Sequence, residues 1–196
     1  MKRIIAITSL IAFLAMSAAS FAVDGSKLPK KKQTKLGLYM TSAEALHYVN
    51  RNAVNTLFVD VRSRAEVNFL GAPTVIDANI PYMELSEWYA WNEKKKNFKL
   101  DVNSDFAGAI EKRLKDKGLS KNDTVIVMCR SGSRSSKAAD LLADLGYKRV
   151  ISVIDGYEGD TAKDGKFKGQ RVVNGWKNNG LPWTYKLDKS KMYVQN

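Results

Sequence analysis

Apolar positions along this chain switch repeatedly between a helical period and short continuous runs, and the switches predict its elements. Thr41-Ser42-Ala43-Glu44 has the spacing of a capping box and opens a helix through 52. Leu57, Phe58, Val59 and Val61 make a nearly unbroken apolar strand over 56–61, as in a sheet covered on both faces. A helical turn over 63–69 breaks at Gly71-Ala72-Pro73; a short strand at 74–76 and a turn at Asn79-Ile80-Pro81 follow. The stretch 84–92, with Trp88, Tyr89 and Trp91, reads as a helix, and the Lys-rich run to 103 as a loop. Ser104 stands where it can cap a helix to 117, stopped by Gly118. A central strand over 124–128 precedes a helix at 135–145, on which Ala138, Leu141, Leu142 and Leu145 share one face and which Gly146 ends. A strand at 150–154, a Gly- and Lys-rich loop over 155–174 and a short helix at 175–179 complete the pattern.

Strands alternating with helices imply an α/β fold, a central parallel sheet flanked by helices on both faces. Functional sites in such sheets form at the C-terminal ends of the strands. The first 22 residues stand outside this pattern. Lys2 and Arg3 precede an apolar run from Ile4 to Met16, and Ser20-Phe21-Ala22 has the small residues of a cleavage site. The expected organisation is a signal peptide over 1–22, a flexible basic leader over 23–40, one domain over 41–187 and a tail over 188–196. Export places the mature chain in the periplasm of a bacterium. The apolar run is short for a membrane span, so no stable membrane insertion is expected after cleavage.

Charge adds little. The net charge of +12 falls to +10 without Lys2 and Arg3, and the lysines are scattered through the leader and around Lys94, Lys95 and Lys96. Solvated tails and faces account for such a distribution, and export argues against nucleic acid as a partner.

The cysteine count changes the picture. Cys129 is the only cysteine in 196 residues, and it ends the apolar run of Val125-Ile126-Val127-Met128. Arg130-Ser131-Gly132-Ser133-Arg134-Ser135 follows, a tight loop of small residues leading into a helix. Backbone N–H groups of such a loop converge on the sulfur, and the helix N-terminus adds partial positive charge. The thiolate is the attacking form of cysteine, so the pattern points to a nucleophile. A buried, inert Cys would not call for a Gly and two Arg in the next five positions.

Asp60-Val61-Arg62, the loop from Cys129 to Ser135, and Asn174-Gly175-Trp176 followed by Gly180-Leu181-Pro182 together resemble the rhodanese family of sulfurtransferases over about 41–185. The resemblance implies the rhodanese-like fold and no metal or organic cofactor. It implies a donor that is a small sulfur-containing anion such as thiosulfate, a persulfide on Cys129, and a thiol, cyanide or protein acceptor. In that scheme Cys129 is catalytic. The substrate-binding residues are Arg130, Ser131, Gly132, Ser133 and Arg134, with Gly132 allowing the turn and Arg134 either holding the donor or bracing the loop. Asp60 and Arg62 resemble a strand-end pair that orients the site, although Arg62 is also spaced for an ion pair with Glu66. The histidine-bearing segment usual after the D-x-R element has no counterpart at Phe69 to Pro81, and 82–103 and 155–174 look inserted.

Two other functions compete. A cysteine phosphatase uses a loop one residue longer than Cys129 to Arg134. A binding module or non-turnover persulfide carrier is compatible with the same fold. His47, the sole histidine, falls on an expected surface helix, which argues against a Cys–His dyad. Asp155, Glu158, Asp160 and Asp164 have no EF-hand spacing. The four tryptophans read as core or pocket wall, and Tyr82 and Tyr157 as residues near an entrance.

Overall fold

A computed structural model describes residues 23–194; the proposed signal peptide lies outside them. In chain order the elements are β1 (Tyr39–Met40), α1 (Ser42–Asn52), β2 (Thr56–Asp60), α2 (Arg64–Leu70), β3 (Ala72–Pro73), β4 (Ala78–Asn79), β5 (Met83–Leu85), β6 (Trp91–Asn92), β7 (Asn97–Phe98), β8 (Leu100–Val102), α3 (Phe106–Asp116), β9 (Thr124–Met128), α4 (Ser133–Asp144), β10 (Arg149–Val153) and β11 (Trp183–Thr184). The main sheet has the order β1-β10-β9-β2-β4, and all four pairings are parallel.

The apolar runs in β2 and β9 are continuous because both faces of these strands are buried. Leu57, Val59, Val125 and Val127 pack with Phe106, Ile110 and Leu114 of α3 and Ala138, Ala139 and Leu142 of α4. Phe58, Ile126 and Met128 pack on the opposite face with Ala45 and Val49 of α1 and Val67 of α2. The sheet is therefore flanked by helices on both faces. From β2 the chain crosses to β4 on one side, and from β9 to β10 on the other. The C-terminal ends of β2 and β9 thus border a topological switch point, where such sheets place their sites.

Local chemistry sets the helix starts. Thr41 with Glu44, and Ser63 with Glu66, form reciprocal capping boxes at α1 and α2. α3 starts after Asp105 and not Ser104, with no side-chain cap. α4 starts two residues earlier than its apolar face suggested and ends at Asp144, which leaves Leu145 exposed.

Several expectations are corrected. The 84–92 stretch is not helical. Its apolar residues lack a core face to pack on and pair instead across an antiparallel arm, Leu85 with Leu100 and Trp91 with Phe98, so the Lys-rich run is the arm's turn and return strand. The strand expected at 74–76 is a turn. Strand pairing instead starts at Ala78, opposite Val59; just before it Asp77 N–H donates to the Phe58 carbonyl while the Asp77 carboxylate accepts from Phe58 N–H, and Asn79 lies in β4. The expected helix at 175–179 is a series of turns with one helical bond, Asn179 N–H to the Gly175 carbonyl. The 155–174 segment holds no helix or named strand, only a bridge between Thr161 and Arg171.

Both ends of the described chain pack on the domain. The 23–40 segment is not a loose leader: Leu36 and Leu38 pack on the two core clusters and β1 is a strand of the main sheet. In the 188–196 segment, Met192 bridges to Asn79 and the Tyr193 hydroxyl donates to Asp105.

Candidate active site

β9 delivers Cys129 to the C-terminal edge of the sheet, and the chain then turns sharply into α4. Gly132 makes the turn at φ +96°, in the left-handed region. A Cβ there would stand 2.2 Å from the Ile154 carbonyl oxygen, so the position has neither the conformation nor the space for a side chain. The result is a cup around Sγ. The Gly132 N–H donates to the sulfur at 3.2 Å, and the Ser135 hydroxyl oxygen lies 3.6 Å from it. Ser135 in turn donates to the Gly132 carbonyl and accepts from Ser152, both at 3.0 Å. Cys129 itself is 1 % exposed. α4 starts one residue past Gly132, so its positive end faces the same cup.

The segment after β10 holds this loop from behind. Tyr157 N–H donates to the Cys129 carbonyl, and Glu158 and Gly159 N–H donate to that of Arg130, at 2.8, 2.9 and 3.2 Å. Gly156, at φ +66°, lets the two backbones touch: its Cβ would lie 2.5 Å from the Cys129 oxygen. A buried carboxylate anchors the segment further. Asp155 accepts from Ser42 N–H and Oγ at the start of α1 and from Gly175 N–H, and burial pushes its pKa up against those bonds. Lys32 approaches from the N-terminal segment. Its side chain is 7 % exposed, passes the Gly132 position, and ends on both Asp160 oxygens at 2.8 Å. The segment expected to be an inserted loop therefore supports the thiol loop.

The two loop arginines divide their roles. Arg134 is a brace: Nη1 and Nη2 bind the two Glu66 oxygens at 2.6 and 2.5 Å, tying α4 to α2. Burial alone would raise the Glu66 pKa, but the Arg134 hydrogen bond and charge outweigh it and hold it at about 2. The same carboxylate raises the pKa of Arg134 against its own burial. Arg130 is exposed. Arg171 lies nearby, donating to the Gly159 carbonyl at 2.6 Å; its burial and then the Arg130 charge lower its pKa. Ser131 and Ser133 are half-buried, and the Ser133 carbonyl accepts from Ser136.

Asp60 and Arg62 do not line the cup. Both side chains are fully buried behind it and paired at 2.6 Å. Arg62 also donates to the Gly71 carbonyl and lies 3.7 Å over the Tyr157 ring. The alternative pairing of Arg62 with Glu66 does not form, because Arg134 occupies that carboxylate. Tyr82, Tyr157 and Trp176 are core residues, whereas Trp88 and Trp91 are exposed. His47 is exposed on α1. Among the described residues, no group of three His, Cys, Asp or Glu side chains could hold a metal ion.

Sequence reasoning missed Lys32, Glu66, Gly156 and Ser152 as parts of this assembly. Measured from Cys129 they lie 23 (Ser152), 27 (Gly156), 63 (Glu66) and 97 (Lys32) positions away, so no local pattern pointed to them.

A family model described as a rhodanese-like domain matches residues 42–163. The chain is 30% identical over 131 residues to an uncharacterized protein of Rickettsia rickettsii, an RP600 homolog, covering 67% of this chain and 85% of that one. It is 39% identical over 56 residues, 29% of either chain, to a Bacillus subtilis protein described as the putative sulfur carrier YrkF. The crystal structure of Rv0390 from M. tuberculosis has 27% identity and a TM-score of 0.55, and the likeness covers 76% of this chain and 97% of that one.

Proposed function

Because this chain belongs to the rhodanese-like domain family, we propose that it is a sulfurtransferase that carries a sulfane sulfur on Cys129, with thiosulfate or a similar small anion as donor. The carrying observation is the sole thiol of the chain at the floor of a tight cup, with Gly132 N–H at 3.2 Å and the start of α4 beside it. In the first step the Cys129 thiolate attacks the outer sulfur of thiosulfate. A new S–S bond forms, the old one breaks, and sulfite leaves with the bonding pair. The product persulfide is an anion, so the Gly132 N–H directed at the sulfur, with the positive end of α4 beside it, stabilises it as such groups would an oxyanion. A thiol or cyanide then attacks the outer sulfur, takes it away and restores the thiolate. No external oxidant is consumed.

In this reading Arg130, exposed at the rim, attracts the donor anion, and Arg134 holds the cup in shape. Asp60 and Arg62 act as positioning residues beneath it. A phosphoryl group would call on Arg134, which is already bound at both nitrogens by Glu66, and this counts against a cysteine phosphatase. A persulfide carrier without rapid turnover is the second reading, favoured by the partial likeness to a putative sulfur carrier. We further propose a periplasmic location, on the strength of the Lys2 to Ala22 pattern. Among the described residues, no helix is long and apolar enough to cross a membrane.

Steady-state formation of thiocyanate from thiosulfate and cyanide tests the proposal. The enzyme reading expects many turnovers per Cys129 and none for Cys129→Ser. One sulfur transferred per chain, with no further turnover, selects the carrier. Equal rates for the wild type and Cys129→Ser would refute both.

A further inference from the structure

The arm formed by β5 to β8 is the one large element that the sulfur chemistry leaves unused. It follows β4 and so leaves the sheet at the same C-terminal edge as Cys129. Its base is fixed: Tyr82 N–H donates to the Val61 carbonyl, Asn103 N–H to that of Tyr82, and Arg64 pairs with Glu84 at 2.8 Å. Its far end carries rings that face solvent. Trp88 is 85 %, Tyr89 63 %, Phe98 51 % and Trp91 44 % exposed. Phe98 gathers two of them, edge-on to Tyr89 at 6.1 Å and to Trp91 at 5.4 Å between centroids, and Trp88 adjoins Tyr89 in the chain. The cluster covers no core, and exposed apolar patches of this kind mark interaction sites.

We propose that this arm is a docking tip for an anionic membrane surface. Charge selects the partner: the arm as a whole is neutral, but Glu84 and Asp101 face each other at its base, and from Glu87 to Lys99 four exposed lysines (Lys94, Lys95, Lys96 and Lys99) stand against two exposed carboxylates, Glu87 and Glu93, the latter paired with Lys96 at 3.2 Å. Trp and Tyr favour the boundary between headgroups and acyl chains, and lysines beside them are drawn to anionic headgroups. The rings project from a narrow two-stranded arm with the lysines at and after its turn, which suits shallow insertion into a lipid layer. The contact holds a sheet edge bearing the thiol loop near the bilayer without a membrane span.

The test is co-sedimentation of the full chain with vesicles of phosphatidylglycerol and phosphatidylcholine, and with phosphatidylcholine alone. The wild type is expected to bind the anionic vesicles preferentially, less tightly at high salt, with a blue shift in tryptophan emission. Lys94→Gln/Lys95→Gln/Lys96→Gln is expected to weaken binding about fivefold per lysine, on the order of 100-fold together. Trp88→Ser/Trp91→Ser is expected to weaken it and to abolish the blue shift. Every variant keeps the same first 22 residues, so any contribution from them is common to all. The lysine variant alters only exposed turn positions, so it remains an independent test if the aromatic variant fails to fold. Absence of binding to anionic vesicles, equal binding to neutral ones, or wild-type binding by the lysine variant would overturn the proposal. Cys129→Ser is expected to bind like the wild type, so the result stands apart from the sulfurtransferase reading.

Discussion

Replacing Glu66 with Gln removes the charge of the Arg134 brace while keeping an oxygen that can serve the capping box at Ser63. The side chains of the pair are only 18 % and 13 % exposed, so solvent screens them weakly. The folded-state pKa of Glu66, about 2 against an ordinary 4.5, corresponds to about 3 kcal/mol at about 1.4 kcal/mol per pH unit. A depressed carboxylate pKa means that the unfolded chain takes up the proton first as the pH falls. The contribution is therefore fully present above about pH 4.5 and is lost progressively as the pH approaches 2. Denaturant unfolding followed by circular dichroism is expected to place Glu66→Gln about 3 kcal/mol below the wild type at pH 7, with the gap narrowing between pH 4.5 and 2.5. A gap under about 1 kcal/mol at pH 7, or one that stays constant down to pH 2.5, would refute the account of Arg134 as a brace.

Other positions give separate outcomes. Gly132→Ala puts a side chain at φ +96° and 2.2 Å from the Ile154 oxygen, so a loss of at least about 1–3 kcal/mol in unfolding free energy is expected, with loss of sulfur transfer. Arg62→Met leaves Asp60 buried without its partner; calorimetry is expected to register destabilisation of about 3–5 kcal/mol, partly recovered in Asp60→Asn/Arg62→Met. Arg130→Gln, at an exposed rim position, is expected to raise KM for thiosulfate about tenfold or more while changing stability by no more than about 0.5 kcal/mol.

What could be read from the sequence follows from how local each cause is. Strands β2 and β9 were legible because burial on both faces forces an apolar run, and α1 because its capping box lies within four residues. The thiol loop was legible because its chemistry is contiguous from Cys129 to Ser135. The 83–102 arm was misread because its apolar residues satisfy cross-strand pairing and exposure, not a core, and helical spacing cannot separate the two. The partner of Arg134 was missed because Glu66 is 68 residues away, while the nearer candidate, Arg62, turned to Asp60. Lys32 gave no sign of its place beside the loop: a lysine among lysines reads as a solvated tail until Asp160 is seen to receive it.

The central claim is that Cys129 carries the sulfur. Intact-protein mass spectrometry of the reduced chain after thiosulfate treatment, beside Cys129→Ser, tests it most directly. The account predicts a gain of one sulfur atom on the wild type alone, removed by cyanide or a thiol. An accessible, reduced Cys129 that gains no sulfur from thiosulfate or from a persulfide donor would contradict it.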